Sequence, residues 1–233
     1  ESLKSTNPDE LQYILKKIMI RRLKKDVLTQ LPSKRRENIS LVLTKKEQKD
    51  LIPLFEELDE LNNILNSTTN TSRDLFQKFF KRNALISELF RTTAKAKINS
   101  VLEFLNIVMT QYSHKIIIFA HHRVMLDAIE QNVKKNKIKY IRIDGTTDQS
   151  KRQTLVDNFR NQDSDCRFAI LSLEACSTGL NFTPVDHVIF AEVTYTPSTI
   201  IQAEDRIHRI GATSDSVHYQ YLLAKDSLDE RVY

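Results

Sequence analysis

"KIIIFAHHRVMLDAIEQNVKKNKIKYIRI", residues 115–143, contains two short apolar runs separated by an amphipathic segment. The runs "KIIIFA" (115–120) and "YIRI" (140–143) have the length of buried strands. Between them, "RVMLDAIEQNVKK" repeats its apolar residues at helical spacing. A strand, a helix and a second strand in this order are typical of a parallel βαβ unit.

The same alternation extends on both sides of this unit. The helical pattern "AKINSVLEFLNIVMTQY" precedes it, and "DQSKRQTLVDNFR" and "STIIQAEDRIHRI" follow it. Further apolar runs are "RFAILSL" (167–173), "HVIFAE" (187–192) and "VHYQYLLA" (217–224). The pattern predicts an α/β domain with a mostly parallel sheet covered by helices on both faces. In such sheets ligands bind beyond the carboxyl ends of the strands.

The first 95 residues have a helical pattern instead. Asn7 and Pro8 have the residue types of a helix start, and "TKKE" from Thr44 has the pattern of a capping box. "ENISLVL" is a short strand candidate, and "NSTTNTS" (66–72) separates two long helical patterns. We therefore predict a helical connector and a protruding helical hairpin in residues 1–95, followed by the α/β domain in residues 96–233.

The positive charge is concentrated at the start of the chain. Residues 1–50 contain 13 Lys+Arg against 7 Asp+Glu, or +6, and the remainder contains 22 against 23, or −1. This basic segment suits either a polyphosphate backbone or a solvated helix face, and the charge alone leaves both open.

The sequence contains neither a long apolar run nor a secretory leader. We therefore expect no membrane partner. Its start also lacks Met, and we expect a piece of a longer protein. The two cysteines, Cys166 and Cys176, have no metal-ligand spacing, which favours a reducing compartment.

Glycine is rare, and its three positions are informative. Gly145 and Gly179 follow predicted strands, where a backbone without Cβ can approach a phosphate closely or simply form a turn. Gly211 ends the last long helical pattern, as a C-terminal cap would.

"QAEDRIHRIG" (202–211) places Gln202, Arg206 and Arg209 on one helical face. Such a face could bind an anion. Alternatively, Asp205–Arg209 and Glu204–His208 could be surface pairs that stabilise the helix by about a few tenths of a kcal/mol. The spacing alone leaves both interpretations open.

"IIQAEDRIHRIG" resembles the sixth helicase motif of the Swi/Snf-type family of double-stranded DNA translocases, within helicase superfamily two. "KIIIFAHHRVMLDAIE", "YIRIDGTTDQSKRQTLVDNF" and "AILSLEACSTGLNFTPVDHVIFAE" resemble the fourth motif, the block after it and the fifth motif. "IMIRRLKKDVLTQLP" resembles the connector between the two lobes of the family. The combination is most similar to the HepA-related branch of annealing helicases.

The resemblance implies a second RecA-like lobe, a three-layer sandwich that forms one wall of an ATP site. Arg209 then corresponds to the arginine finger, with Arg206 beside it and Gln202 helping to bind ATP with Mg²⁺. Gly179 and Asn181 belong to the same interface. One departure is Ala212, where the family usually has Gln, and it bears on fine contacts rather than on the finger.

The resemblance also implies contacts between DNA and the loops at the strand ends. The candidate residues are His121, Arg123, Gly145, Thr146, Arg152 and Ser172. The pair His121–His122 lacks a Cys or carboxylate at ligand spacing, so we predict no metal site.

The first lobe of such motors supplies the phosphate-binding loop and the acidic pair that holds magnesium. This sequence contains no G-x-x-x-x-G-K-[ST], and "LDEL" (58–61) lies in an amphipathic helical pattern. We therefore expect an ATPase in the full-length protein and no hydrolysis by this chain alone.

The expected function is the carboxyl-terminal motor lobe of a nuclear, monomeric, ATP-dependent translocase that remodels forks or anneals strands. Its partners would be double-stranded or forked DNA and the first RecA-like lobe of the same polypeptide. The alternatives are a nucleosome remodeller of the same family, an RNA helicase lobe and a non-catalytic α/β binding module.

Overall fold

The computed structural model describes residues 7–20, 31–66, 72–174, 181–182, 184–208 and 215–233. The chain divides into two compact units, Glu1–Leu31 and Pro32–Tyr233. In the first unit, helix α1 spans Pro8–Ile18, and the Asn7 side chain accepts a hydrogen bond of 3.4 Å from the backbone N–H of Glu10. Proline at the first helical position and an asparagine cap, as predicted, explain why the helix begins there.

The second unit is a six-stranded parallel sheet with helices on both faces. Its strand order is β1-β6-β5-β2-β4-β3. The strands are β1 (Ser33–Leu41), β2 (Ile116–Ala120), β3 (Lys139–Ile143), β4 (Cys166–Ser172), β5 (His187–Phe190) and β6 (Ser216–Ala224). The helices are α2 (Lys45–Gln48), α3 (Ile52–Asn66), α4 (Ser72–Ala96), α5 (Ile98–Gln111), α6 (Arg123–Lys135), α7 (Gln149–Arg160), α8 (Pro197–Ile207) and α9 (Leu228–Val232). The predicted α/β fold with a parallel sheet is confirmed.

Each central strand is buried on both faces, which explains why its sequence is apolar throughout. In β2, Ile117 and Phe119 pack in the cluster that includes residues of α7 and α8. Their neighbours Ile116 and Ile118 pack in the opposite cluster, with residues of α5 and α6. The three layers are therefore helices, sheet and helices.

Strand β1 lies outside the α/β boundaries that the sequence predicted. The strand candidate "ENISLVL" lies in the part for which the sequence predicts a helical connector, whereas Ser33–Leu41 forms the edge of the sheet and pairs in parallel with β6, from Ser33↔Ser216 to Leu41↔Ala224. The sheet thus begins before residue 96. The partner strand is about 180 residues away in sequence, so no local pattern could reveal this pairing.

Helices α3 and α4 contact each other through Lys81–Glu57 at 2.7 Å and Arg82–Asn62 at 2.8 Å, and the protruding hairpin stays a prediction. The capping box at Thr44 is present, because its side chain accepts from the Glu47 N–H at 3.3 Å and Glu47 accepts from the Thr44 N–H at 2.8 Å. Leu51, Leu58 and Leu89 pack in a third apolar cluster against the end of β6. Within the described ranges, no helix is long and apolar enough to cross a membrane.

Candidate functional site

The carboxyl ends of the parallel strands bring the candidate DNA-binding residues to one edge of the sheet. His121 follows β2, Gly145 and Thr146 follow β3, and Ser172 ends β4. Open parallel sheets bind ligands at this edge because loops from several strands meet there. The structure therefore collects residues that are separated by about fifty positions in the sequence.

A buried glutamate fixes the loop after β2. Glu192 follows β5, is 3% exposed, and accepts hydrogen bonds through Oε2 from the backbone N–H groups of His121 (2.8 Å) and His122 (2.9 Å). Its Oε1 lies 2.6 Å from Nδ1 of His122. Burial alone would raise the pKa of the Glu192 carboxyl, but the hydrogen bonds and charge of His122 and the charge of Lys97 together lower the pKa. Glu192 thus holds the start of α6 in place.

Sequence reasoning did not assign a role to Glu192. The available signal was a carboxylate ending the apolar run "HVIFAE", because a buried charge at a strand end needs hydrogen-bond donors from a neighbouring loop. Next to this anchored loop, the side chain of Arg123 is 80% exposed, and its Nε lies 3.8 Å from Asp127.

The loop after β3 is shaped by its own side chains. Asp144 Oδ1 accepts from the backbone N–H (2.9 Å) and the hydroxyl (2.6 Å) of Thr146, and the N–H of Asp144 donates to Thr147 Oγ1 at 3.0 Å. A Cβ added to Gly145 would meet no atom within 4 Å. Gly145 is therefore not required for packing within the lobe, and its exposed backbone remains open to a ligand.

Two arginines hold this loop in place through hydrogen bonds. Arg152 donates through Nε to the Thr147 carbonyl and through Nη2 to the Asp144 carbonyl, both at 3.1 Å. Arg142, whose role the sequence analysis missed, donates to Asp144 Oδ2 at 2.8 Å. Its Nη1 contacts the carboxylates of Asp127 (2.7 Å) and Glu130 (2.6 Å) on α6. These contacts connect the loop to the neighbouring helix.

Ser172 lies at the same edge but is only 5% exposed. Its hydroxyl is therefore less accessible than the groups of Gly145 and Thr146, which are exposed. The contact of Ser172 with DNA stays a prediction, as do those of the other residues of this edge.

Helix α8 buries one charged residue and directs the others outward. Glu204 is 2% exposed, and Arg36 of β1 donates to it through Nε (2.7 Å) and Nη2 (2.6 Å). Lys34 contacts it at 2.9 Å, and the Tyr221 hydroxyl donates to it. Burial would raise the pKa of Glu204, but hydrogen bonds from Arg36, Tyr221 and Lys34 hold it at about 2.

This arrangement excludes Glu204 from a surface pair with His208. Glu204 is bound to β1 and β6 instead, and Nε2 of His208 donates to the Pro32 carbonyl at 2.7 Å. With Glu204 facing inward, Gln202 is exposed and Arg206 is half-exposed. Asn181 is half-buried, while Gly179, Arg209, Gly211 and Ala212 lie outside the described residues.

A cleft of about 490 Å³ separates α4 from the loops that follow β2 and β5. Asn83, Ser87 and Phe90 line it from the helix, and His121 and Tyr195 line it from the loops. The rings of Phe90 and Tyr195 meet edge to face, with centroids 6.3 Å apart. Across the part of the chain that the structure describes, no group of three or more His, Cys, Asp or Glu residues could hold a metal ion.

Comparison with known proteins identifies the lobe. Residues 96–211 match the helicase conserved C-terminal domain. The chain is 42% identical to the human DNA annealing helicase and endonuclease ZRANB3, over 97% of this chain and 20% of that protein. It is 37% identical to the Xenopus tropicalis SWI/SNF-related matrix-associated actin-dependent regulator of chromatin subfamily A-like protein 1, over 98% of this chain and 23% of that protein. The chain thus spans about a fifth of the length of these relatives.

The fold has a solved counterpart in the C-terminal part of the Fun30 ATPase domain. The two share a TM-score of 0.67 and 20% sequence identity, over 87% of this chain and 88% of that one. This likeness supports the RecA-like α/β fold. The ordered motifs, the parallel sheet and the relatives agree, and the chain belongs to the Swi/Snf-type family of helicase superfamily two as its carboxyl-terminal helicase lobe.

Proposed function

We propose that this chain is the carboxyl-terminal motor lobe of an ATP-dependent double-stranded DNA translocase. The observation that carries the proposal is the anchoring of α8 through Glu204. Because Glu204 is bound inside the lobe, the helix is fixed with Gln202 exposed and Arg206 half-exposed at its surface. A half-exposed guanidinium and an exposed amide on a fixed helix suit the phosphates of a nucleotide.

In this proposal Arg209 is the arginine finger, Arg206 assists it, and Gln202 binds the nucleotide. Gly179 and Asn181 line the same interface. When bound, ATP with Mg²⁺ supplies the phosphoryl group, and the metal is held mainly by the first lobe of the same polypeptide. A guanidinium beside the transferred group stabilises the negative charge that develops there. This lobe alone supplies one wall and does not hydrolyse ATP.

The carboxyl edge of the sheet is the proposed DNA track. Arg123 offers an exposed guanidinium and His121 a half-exposed imidazole, while exposed Thr146 lies beside Gly145, which permits close approach of a phosphate backbone. Arg152 and Ser172 are the remaining proposed DNA contacts; Arg152 also holds the loop after β3 through its carbonyl groups, and Ser172 lies buried at the end of β4. Donors aimed at phosphates bind DNA without preference for sequence.

The relatives favour a role at replication forks or in strand annealing, because human ZRANB3 is described as a DNA annealing helicase. On this proposal the protein is nuclear, monomeric and not membrane-bound, and its DNA is double-stranded or forked. A nucleosome remodeller of the same family is the alternative, favoured by the chromatin-regulator name of the Xenopus relative. An RNA helicase lobe and a non-catalytic module agree less well with the family.

The test is ATP hydrolysis by the full-length protein carrying Arg209→Ala or Arg206→Ala. We expect the Arg209→Ala variant to lose roughly 10³-fold or more of its DNA-stimulated rate, in the range of other arginine fingers. Arg160→Ala, at the end of α7, is the matched control and should retain the rate. Unchanged turnover in Arg209→Ala would overturn the finger assignment, and stimulation by RNA but not by duplex DNA would overturn the substrate.

A further inference from the structure

Three phenylalanines on the first half of α4 expose much of their side chains. Phe76 is 75% exposed, Phe79 52% and Phe80 74%. Large apolar side chains that cluster at the surface mark a binding surface more often than isolated ones do. We call these three residues the aromatic face of α4.

The aromatic face continues the wall of the cleft at the sheet edge. Phe76, Phe80, Asn83, Ser87 and Phe90 follow one another at spacings of four, three, four and three residues, which places them on one side of the helix. The last three line the cleft. At a rise of 1.5 Å per residue, Phe80 and Phe76 lie about 10 and 16 Å further along the helix axis than Ser87.

The surroundings of the aromatic face are cationic. Residues 72–83 contain four Lys+Arg against one Asp, or +3. Lys81 contacts Glu57 at 2.7 Å, and the two side chains are 59% and 41% exposed. Ion pairs this exposed stabilise a protein little, so Lys81 can exchange its carboxylate for a phosphate.

Stacking faces among basic residues recognise single-stranded nucleic acid, because bases stack on the rings while cations contact the phosphates. A duplex keeps its bases stacked inside, and its exterior gains nothing from phenyl rings. The position beside the proposed DNA track and the positive charge both favour a nucleic acid strand with unpaired bases over an apolar protein segment.

We propose that Phe76, Phe79 and Phe80 form a stacking platform for the unpaired bases of a DNA strand that branches from the duplex at the carboxyl edge. The proposal rests on the proposed function, since it takes that edge as the DNA track. It gives the lobe a direct means of distinguishing branched from fully paired DNA.

The experiment compares two double variants of the full-length protein, Phe76→Leu/Phe80→Leu and Phe76→Tyr/Phe80→Tyr. Leucine keeps an apolar surface but removes the ring, whereas tyrosine keeps the ring. Binding of a fluorescent oligothymidylate and of forked and blunt duplexes is measured by anisotropy. We expect the leucine variant to bind the oligothymidylate and the forked arms about 10-fold or more weakly, and the tyrosine variant to stay within about threefold of the unmodified protein.

Ile107→Ala is the matched control, because Ile107 on α5 is also about half exposed, at 52%. It should change no affinity, and blunt-duplex stimulation of ATP hydrolysis should be equal in all variants. Equal binding of oligothymidylate by the leucine variant overturns the platform. A further variant, Phe76→Ala/Phe80→Ala, tests for a protein-docking face. If it still binds oligothymidylate but the protein no longer associates with itself, the platform is also overturned. If no DNA stimulates the unmodified enzyme, the proposed function fails, while oligothymidylate binding still tests the platform.

Discussion

Arg36 of β1 and Glu204 of α8 form a two-point ion pair across 168 positions of sequence, with distances of 2.7 and 2.6 Å. Lys34 and Tyr221 bind the same carboxylate from β1 and β6. One buried charge thereby holds a sheet edge and the helix of the proposed nucleotide site together. Since Glu204 lies between Gln202 and Arg206 in sequence, its position determines where those two side chains can point.

Replacing Glu204 with Gln should lower the free energy of unfolding at pH 7 by about 2 kcal/mol, because hydrogen bonds between charged groups are lost in a buried place. The half-exposed Arg36 can turn to water, which limits the cost. The folded pKa of about 2 lies below the ordinary 4.5, so this stabilisation is present above pH 4.5 and is lost as the pH falls to about 2.

Urea unfolding of the two proteins at a series of pH values measures this difference. The difference in the free energy of unfolding between the unmodified chain and Glu204→Gln should become smaller as the pH falls below 4.5. Glu88→Gln is the control, since Glu88 is 49% exposed and its contact with Arg91 is 3.6 Å long. A gap that stays constant down to pH 2.5 would contradict the assignment of the charge to Glu204.

The sequence predicts five strands from largely apolar runs, which local inspection detects, and it marks part of β1 as a strand candidate through "ENISLVL". What the sequence does not predict is that β1 belongs to the sheet, because "SKRRENISL" is a polar edge strand whose partner lies at the other end of the chain. Strand pairing of this range depends on the assembled sheet rather than on any local pattern.

The candidate site, like the fold, is predicted where local spacing decides and not where long-range contacts decide. Spacing reveals that Gln202 and Arg206 share a helical face, but it cannot show whether that face is buried or exposed. That depends on Glu204, whose cationic partners come from β1. The role of Glu192 is hidden in the sequence for a similar reason, since its hydrogen-bond donors are backbone N–H groups of a loop about seventy residues earlier.

A second buried ion pair joins the start of α5 to α9 beside the end of β6. Lys97 Nζ lies 2.7 Å from Asp229 Oδ2, and the two side chains are 1% and 3% exposed. Lys97 also donates to the Leu222 carbonyl at 3.1 Å, and Asp229 accepts from the Ala224 N–H at 3.0 Å. Removal of either partner would leave a charge buried without its counterpart.

Lys97→Met should therefore destabilise the chain by about 3–5 kcal/mol. The double variant Lys97→Met/Asp229→Leu should lose less than the sum of the two single changes, because neither charge then remains unpaired. Lys139→Met is the matched control: Lys139 and Asp165 are also 2.7 Å apart but 70% and 77% exposed, and no measurable change is expected. Chemical unfolding provides the free energies, and additive losses would show that the two charges do not interact.

Gly145→Ala should leave the stability of the fold intact while lowering the stimulation of ATP hydrolysis by DNA. The added methyl group meets nothing within 4 Å, and the backbone of Gly145 lies outside the left-handed region. We expect the stability to be unchanged or raised by up to about 1 kcal/mol, because alanine restricts the unfolded chain. In the full-length protein, DNA-stimulated ATP hydrolysis should fall, since the methyl group projects toward the proposed DNA path.

Thr147→Ala is the contrasting variant for that experiment. It removes the hydroxyl that accepts from the Asp144 N–H and should cost about 1 kcal/mol of stability. If Gly145→Ala retains full DNA stimulation, the loop after β3 does not contact DNA through Gly145.

A chain of histidines at the opposite, amino-terminal edge of the sheet makes stability depend on pH. His187 is 3% exposed; its Nε2 donates to Gln220 Oε1 at 2.9 Å, and its Nδ1 accepts from His114 Nε2 at 3.0 Å. The direction of these bonds follows from Gln220, whose amide nitrogen donates to Glu37 at 3.0 Å and leaves its oxygen for His187. Both nitrogens of a neutral His187 are thereby used.

Burial lowers the pKa of His187 below 6.5, and the nearby His114 and His218 lower it further, against the opposing effect of Gln220. The unfolded chain therefore takes up this proton first, and the folded state loses stability as the pH falls below about 6.5. We expect His187→Gln to be less stable than the unmodified chain at pH 7.5 but to lose less stability between pH 7 and pH 5. Thermal unfolding across that pH range measures how steeply the stability of each protein falls with pH. His121→Gln is the control, at a partly exposed histidine. Equal slopes for His187→Gln and the unmodified chain would mean that another group takes up the proton.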